Sequence, residues 1–311
     1  MRNHPCPAIY MLAVLAVGAV QVAAQGVPQA ADPFRQVQPG ALKASLEAGE
    51  EVRAPATEAD EDIGEQVILA PSGRYQPLTF IGITGLYWTD NAALTEDFRE
   101  DDNYWYTQLA LTYLPQLAPN IFAEFTVRQQ FYVYDKLDAL NFNSLDAGGG
   151  LVYVSRALGN TSFLARYNYE RLTDGTNHDE FFTQHQLEVG FFKPFVISYR
   201  HEAYLSYLSE FSLDGNPDFA RYNDHSLTAG YRFLPIDPLR LSVYYRAAYR
   251  DYDWRDQGDF NQIVGAVVSY DFNDHVSLSA SASWTHNDSD QEFFDYEATD
   301  IGARVLLSFS F

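Results

Sequence analysis

Ala298 to Phe311 closes the chain with A-T-D-I-G-A-R-V-L-L-S-F-S-F. From Ile301 on, Ile301, Ala303, Val305, Leu307, Phe309 and Phe311 share one parity, while Gly302, Arg304, Leu306, Ser308 and Ser310 share the other. That period of two belongs to a strand with two unlike faces. Free termini fray unless something ties them down. A strand that runs to the last residue therefore needs a partner, and in a closed barrel that partner is the first strand.

The rest of the chain agrees with that reading. Its 311 residues include 22 Tyr and 22 Phe against 4 Trp and 2 Met, a bias toward residues that suit strands and membrane interfaces. The formal net charge of -22 argues against a nucleic-acid partner, because phosphate binding needs clustered Lys and Arg.

Residues 1–24 read as a secretory signal: Arg2, an uncharged apolar run from Ala8 to Val20, then Val22-Ala23-Ala24 before the cleavage point. That run is too short to span a bilayer as a helix, which takes ~20 apolar residues. Cys6 precedes the apolar run, where a lipoprotein cysteine would follow it. Cleavage removes this single cysteine, so no disulfide or thiol chemistry is expected. Residues 25–74 form an acidic Ala/Pro/Glu/Gln-rich leader without sustained alternation, read as disordered, with a plug entering the barrel as the alternative.

Residues 75–311 are expected to be all-β: a transmembrane, up-and-down antiparallel barrel of about twelve strands, since only helices and closed barrels satisfy every backbone group in lipid. The segments run from Leu78 to Thr89 through to Glu297 to Phe311. Among them, Phe182 to Phe192 and Ile197 to Glu210 are separated by an expected turn at Lys193-Pro194. Short connections alternate with longer acidic ones such as Asp90 to Asn103 and Asn287 to Tyr296. Short periplasmic turns, long outer loops and an even strand number would place both termini in the periplasm. Aromatics at the loop ends, including Tyr104-Trp105-Tyr106, Phe131-Tyr132, Tyr252 with Trp254, and Phe293-Phe294 with Tyr296, are expected at the membrane interface. The first segment resists assignment: Phe80, Leu86 and Trp88 oppose Ile81, Ile83 and Tyr87, so either parity could face lipid.

A charge facing lipid at mid-depth costs ~2–4 kcal/mol, so the polar parity should face inward. That assigns Glu124, Arg128, Arg166, Glu170, Glu188, Arg200, Glu202, Arg232, Arg246, Arg250 and Arg304 to the lumen wall. Two outcomes stay open. These rows line a narrow passage that selects solutes by charge, or they pair across the lumen and close it. Catalysis is not expected: His225-Ser226 are adjacent on a strand and point to opposite faces, and the histidines lack metal-ligand spacing. No cofactor or metal is expected. The acidic loops would bridge through divalent cations to lipopolysaccharide phosphates, or be simply solvated and keep one another apart by repulsion.

The closing hairpin from Ser277 to Phe311, ending in alternating apolar residues and a final Phe, resembles those of Gram-negative outer-membrane β-barrels, both porin-like and export-associated. The resemblance implies recognition of the last strand, with Phe309 and Phe311 as its signal, by the barrel-assembly machinery. It does not identify a substrate; under the channel reading the expected partner is a small solute or a polysaccharide.

Overall fold

The computed structural model describes residues 75–311 except 98, 254 and 255. The expected signal segment, the leader up to Arg74, and Trp254 lie outside the described residues. The strands, in order, are β1 (Leu78–Thr89), β2 (Asp102–Tyr113), β3 (Gln116–Ala118), β4 (Ile121–Tyr134), β5 (Phe142–Ser155), β6 (Thr161–Asp174), β7 (Glu180–Ser198), β8 (His201–Asn216), β9 (Tyr222–Ile236), β10 (Leu239–Tyr252), β11 (Gly258–Asn273), β12 (Val276–Ser289) and β13 (Tyr296–Ser310). Every long strand pairs antiparallel with its sequence neighbours. The three-residue β3 is a side piece of the β2–β4 turn, and β2 pairs directly with β4. The result is a closed up-and-down barrel of twelve long strands.

Closure runs between the first and last strands, Thr79 opposite Ser310 through Thr89 opposite Asp300. At the last rung Phe311 N–H donates to Leu78 O (2.8 Å) and Leu78 N–H to Phe311 O (3.3 Å), which is what holds the terminal aromatic in place. Phe309 packs its ring against His275 at 5.0 Å and Phe80 at 6.5 Å on the outer face. The seam also settles the first strand: Leu86 and Trp88 are exposed on the outside, and Ile83 and Tyr87 are buried inside. The apolar residues on both parities arise because this strand's inward face packs into an aromatic interior instead of a polar one.

Three expectations need correction. Lys193-Pro194 is not a turn; both residues lie within β7, and the chain reverses at Tyr199-Arg200. A proline is tolerated there because β6 pairs with β7 only as far as Phe192, so beyond that rung the missing N–H faces no partner strand. Second, the loops are shorter than the acidic runs suggested: only 90–101 is long, and the others are 135–141, 175–179, 217–221, 253–257 and 290–295. The acidic segments partly continue the ladder, as at Asp288 opposite Phe260.

Third, the aromatics at the loop end do not all form an outer girdle. Trp105 and Phe293 are exposed, but Tyr104, Tyr106, Tyr132, Tyr252 and Tyr296 point inward and are buried. Consecutive strand residues cannot share a face, so Tyr104-Trp105-Tyr106 sends its two tyrosines inside and Phe131-Tyr132 its tyrosine. There Tyr104, Tyr106, Tyr132 and Tyr252 build a cluster with Tyr87, Tyr134, Phe142, Phe182 and Tyr222.

Candidate functional site in the barrel lumen

Three inward glycines set the wall's relief. Each lies beneath a tyrosine ring from the adjacent strand: Gly230 under Tyr204, Gly265 under Tyr244, and Gly302 under Tyr87, where a Cβ would stand 2.2, 2.2 and 2.1 Å from the ring. The rings lie along the wall and fill the missing side-chain space.

Charge is concentrated on one continuous hydrogen-bonded rung. Reading across β4 to β11, the register places Glu124, Gly150, Arg166, Glu188, Glu210, Asp224, Arg250 and Asp259 side by side. Gly150 matters for its size, because a Cβ there would meet Arg166 Cβ at 2.4 Å. Across that gap Arg166 Nη1 donates to Glu124 (3.1 Å), while Nε donates to Glu188 (2.6 Å). On the other flank Asp224 accepts from Arg250 (3.0 Å) and Arg246 (3.3 Å), and the Arg250 guanidinium sits 4.4 Å from the centre of the Tyr222 ring. Between the two arginines stand three carboxylates in succession: Glu188, Glu210 and Asp224.

The remaining expected residues fall into smaller groups. Arg128 pairs with Asp146 (3.3 Å), whose ladder neighbour is Glu170. Arg232 pairs with Glu202 (3.1 Å) toward the turn end. Arg304 is inward and buried, opposite Gly85 and Ser279. Arg200 does not belong with them: it is exposed in the β7–β8 turn and donates to Pro235 O (3.1 Å), a consequence of the misplaced turn. Reading the sequence for Arg and Glu passed over Glu210 and missed Asp146, Asp224, Asp259, Asp271 and Asp300, all on inward positions. Asp is a loop-favouring residue, yet its parity alone identifies it; Asp224 shares a face with Ser226 and Thr228. With these included, inward carboxylates outnumber inward arginines.

The outer wall carries one pair that adjacent-residue reasoning overlooked. Ser209 Oγ lies 2.7 Å from His225 Nδ1 and 2.7 Å from Tyr207 Oη, across the β8–β9 rung. Ser209 is buried and ladder-paired on both sides, to Val189 and His225, so its flanking amides are committed to the sheet instead of forming an oxyanion site. Among the described residues no group of three or more His, Cys, Asp or Glu is placed to hold a metal.

Outside the membrane-spanning strands, Lys136 and Asp101 tie two loop-side strand ends together at 2.8 Å. The hydrogen bond from Lys136, then its charge, holds the Asp101 carboxyl below its usual range. A depressed carboxyl contributes stability above its unfolded pKa, and that contribution is lost as pH falls through the folded value. Lys136→Met should therefore raise the Asp101 titration midpoint, read by NMR, with little change in global stability because the pair is exposed.

No protein-family model and no curated protein matches the chain. Solved structures do. An outer membrane channel from Pseudomonas putida F1 aligns with a TM-score of 0.54 at 14% identity, covering 76% of this chain and 98% of that one. The KdgM porin, in complex with disordered oligogalacturonate, gives 0.42 at 10% identity (74% and 99% coverage). Outer membrane phospholipase A from Escherichia coli gives 0.46 at 15% identity (73% and 95%). The chain has the outer-membrane β-barrel fold.

Proposed function

We propose that the protein is an outer-membrane channel, a narrow passage whose wall favours small cations, with both termini periplasmic. The observation that carries this reading is the charged rung from Glu124 to Asp259, with three adjacent carboxylates held between two arginine clusters. The row climbs the wall from Glu124, near the turn end of β4, to Asp259, at the loop end of β11, so its charges line the length of the passage. Inward charge lining a passage selects ions by sign, and an excess of carboxylates favours cations. The architecture shared with a known outer membrane channel supports the reading. Small solutes suit it better than a polysaccharide, since the inward side chains along this row are buried. The acidic loops would face lipopolysaccharide, and the Phe309 to Phe311 ending would be read during assembly. A second reading is favoured by one specific fact: Arg166, Glu188, Asp224 and Arg250 are all buried, as in a barrel closed by its own ion pairs.

The refolded protein in a planar bilayer separates the two. The channel reading predicts discrete conductance steps. A barrel shown to be folded by its heat-modifiable migration, yet electrically silent, would leave the closed barrel.

A further inference from the structure

We propose that Asp300 is the centre of a cation-binding subsite in the lumen that takes the ammonium group of a small organic amine. Asp300 is 5% exposed and faces inward near the loop end of β13, and its Oδ1 has no hydrogen-bond partner. Among the described residues no Lys or Arg nitrogen pairs with it. Arg304, on the same face four residues on, is about 13 Å away along the strand. The other carboxylate clusters of the wall described above each contain an arginine. Asp300 is instead flanked in register by two hydroxyl residues, Thr89 on β1 and Ser283 on β12.

The surroundings specify the ligand. Tyr104, 1% exposed, also has a hydroxyl without a partner, and the register puts it on the inward face two strands from Asp300: Thr89 is opposite both Asp300 and Asp102, and Tyr104 follows Asp102 by two residues. Its ring continues into an aromatic stack, with centroids 5.3 Å from Tyr87 and 5.2 Å from Tyr134. A buried carboxylate without a cation is unfavourable, so the site gains most from a ligand that brings a positive charge. The nearby Asp90 carboxylate accepts from the Thr299 N–H (2.6 Å), and Asp300 with neutral hydroxyls is too little for Ca²⁺, which takes 6–8 oxygen ligands and usually several carboxylates. An ammonium group suits it: its N–H bonds point at the carboxylate and hydroxyl oxygens, and its alkyl end lies against tyrosine faces.

This subsite deepens the channel reading and rests on it only for the claim that the amine passes through; binding is measured without conduction. The test is calorimetric titration of the full, folded protein in detergent micelles with butylammonium chloride, and with sodium chloride at equal ionic strength. Saturable binding of butylammonium is expected, weakened at least about tenfold in Asp300→Asn. Tyr104→Phe should weaken it several-fold while keeping the ring, and it carries the test if Asp300→Asn does not fold. Binding unchanged in these variants, no saturable heat in the wild type, or an equal response to sodium would overturn the assignment.

Discussion

Arg166→Met is expected to destabilise the barrel by about 3–5 kcal/mol, the range for removing one member of a buried ionic cluster. The arginine holds two carboxylates, Glu124 and Glu188, and its own side chain is 4% exposed. Methionine fills similar volume but leaves both acids buried without their cation. The loss should appear as a lower midpoint of urea unfolding in lipid vesicles. Adding Glu188→Gln to Arg166→Met should recover part of it, because one orphaned charge is then removed. If the single substitution leaves the midpoint unchanged, water reaches these groups freely and the cluster is a solvated surface.

The second large effect belongs to the seam. Gly302→Val should cost about 1–3 kcal/mol, the usual cost of overpacking a filled interior. Its Cβ would enter the Tyr87 ring, and that ring cannot swing aside because it stacks on Tyr104 at 5.3 Å and meets Tyr106 edge-on at 6.4 Å. Gly82→Ala is the natural control, since a Cβ there meets nothing closer than 3.6 Å. Combining Gly302→Val with Tyr87→Ala should cost less than the sum of the two single changes, a coupling read from unfolding midpoints. Strict additivity would mean that the ring does not occupy the space above the glycine.

These two sites also mark what could be read from the chain and what could not. Alternation in the last strand fixed its two faces, and with them the barrel, because one face meets lipid and the other does not. The inward positions of Glu124, Arg166, Glu188, Arg246 and Arg250 follow from the same parity. What parity cannot give is register between strands. That Glu124, Arg166 and Glu188 share one rung depends on where each turn falls, and the reversal at Tyr199-Arg200 moved Arg200 off the wall. Nor does local sequence distinguish an interfacial tyrosine from one facing inward; Tyr104 and Trp105 are neighbours with opposite fates. Ser209 and His225 lie sixteen residues apart, and only the β8–β9 register brings them together.

The reversal potential under a potassium chloride gradient tests the central claim most directly, comparing wild type with Arg246→Ala plus Arg250→Ala. Those arginines neutralise Asp224 beside Glu210 and Glu188. The wild type should prefer cations, and the double variant, confirmed as folded, should shift further toward the potassium equilibrium potential. A conducting barrel whose reversal potential does not move when both positive charges are gone would show that ions do not pass this rung.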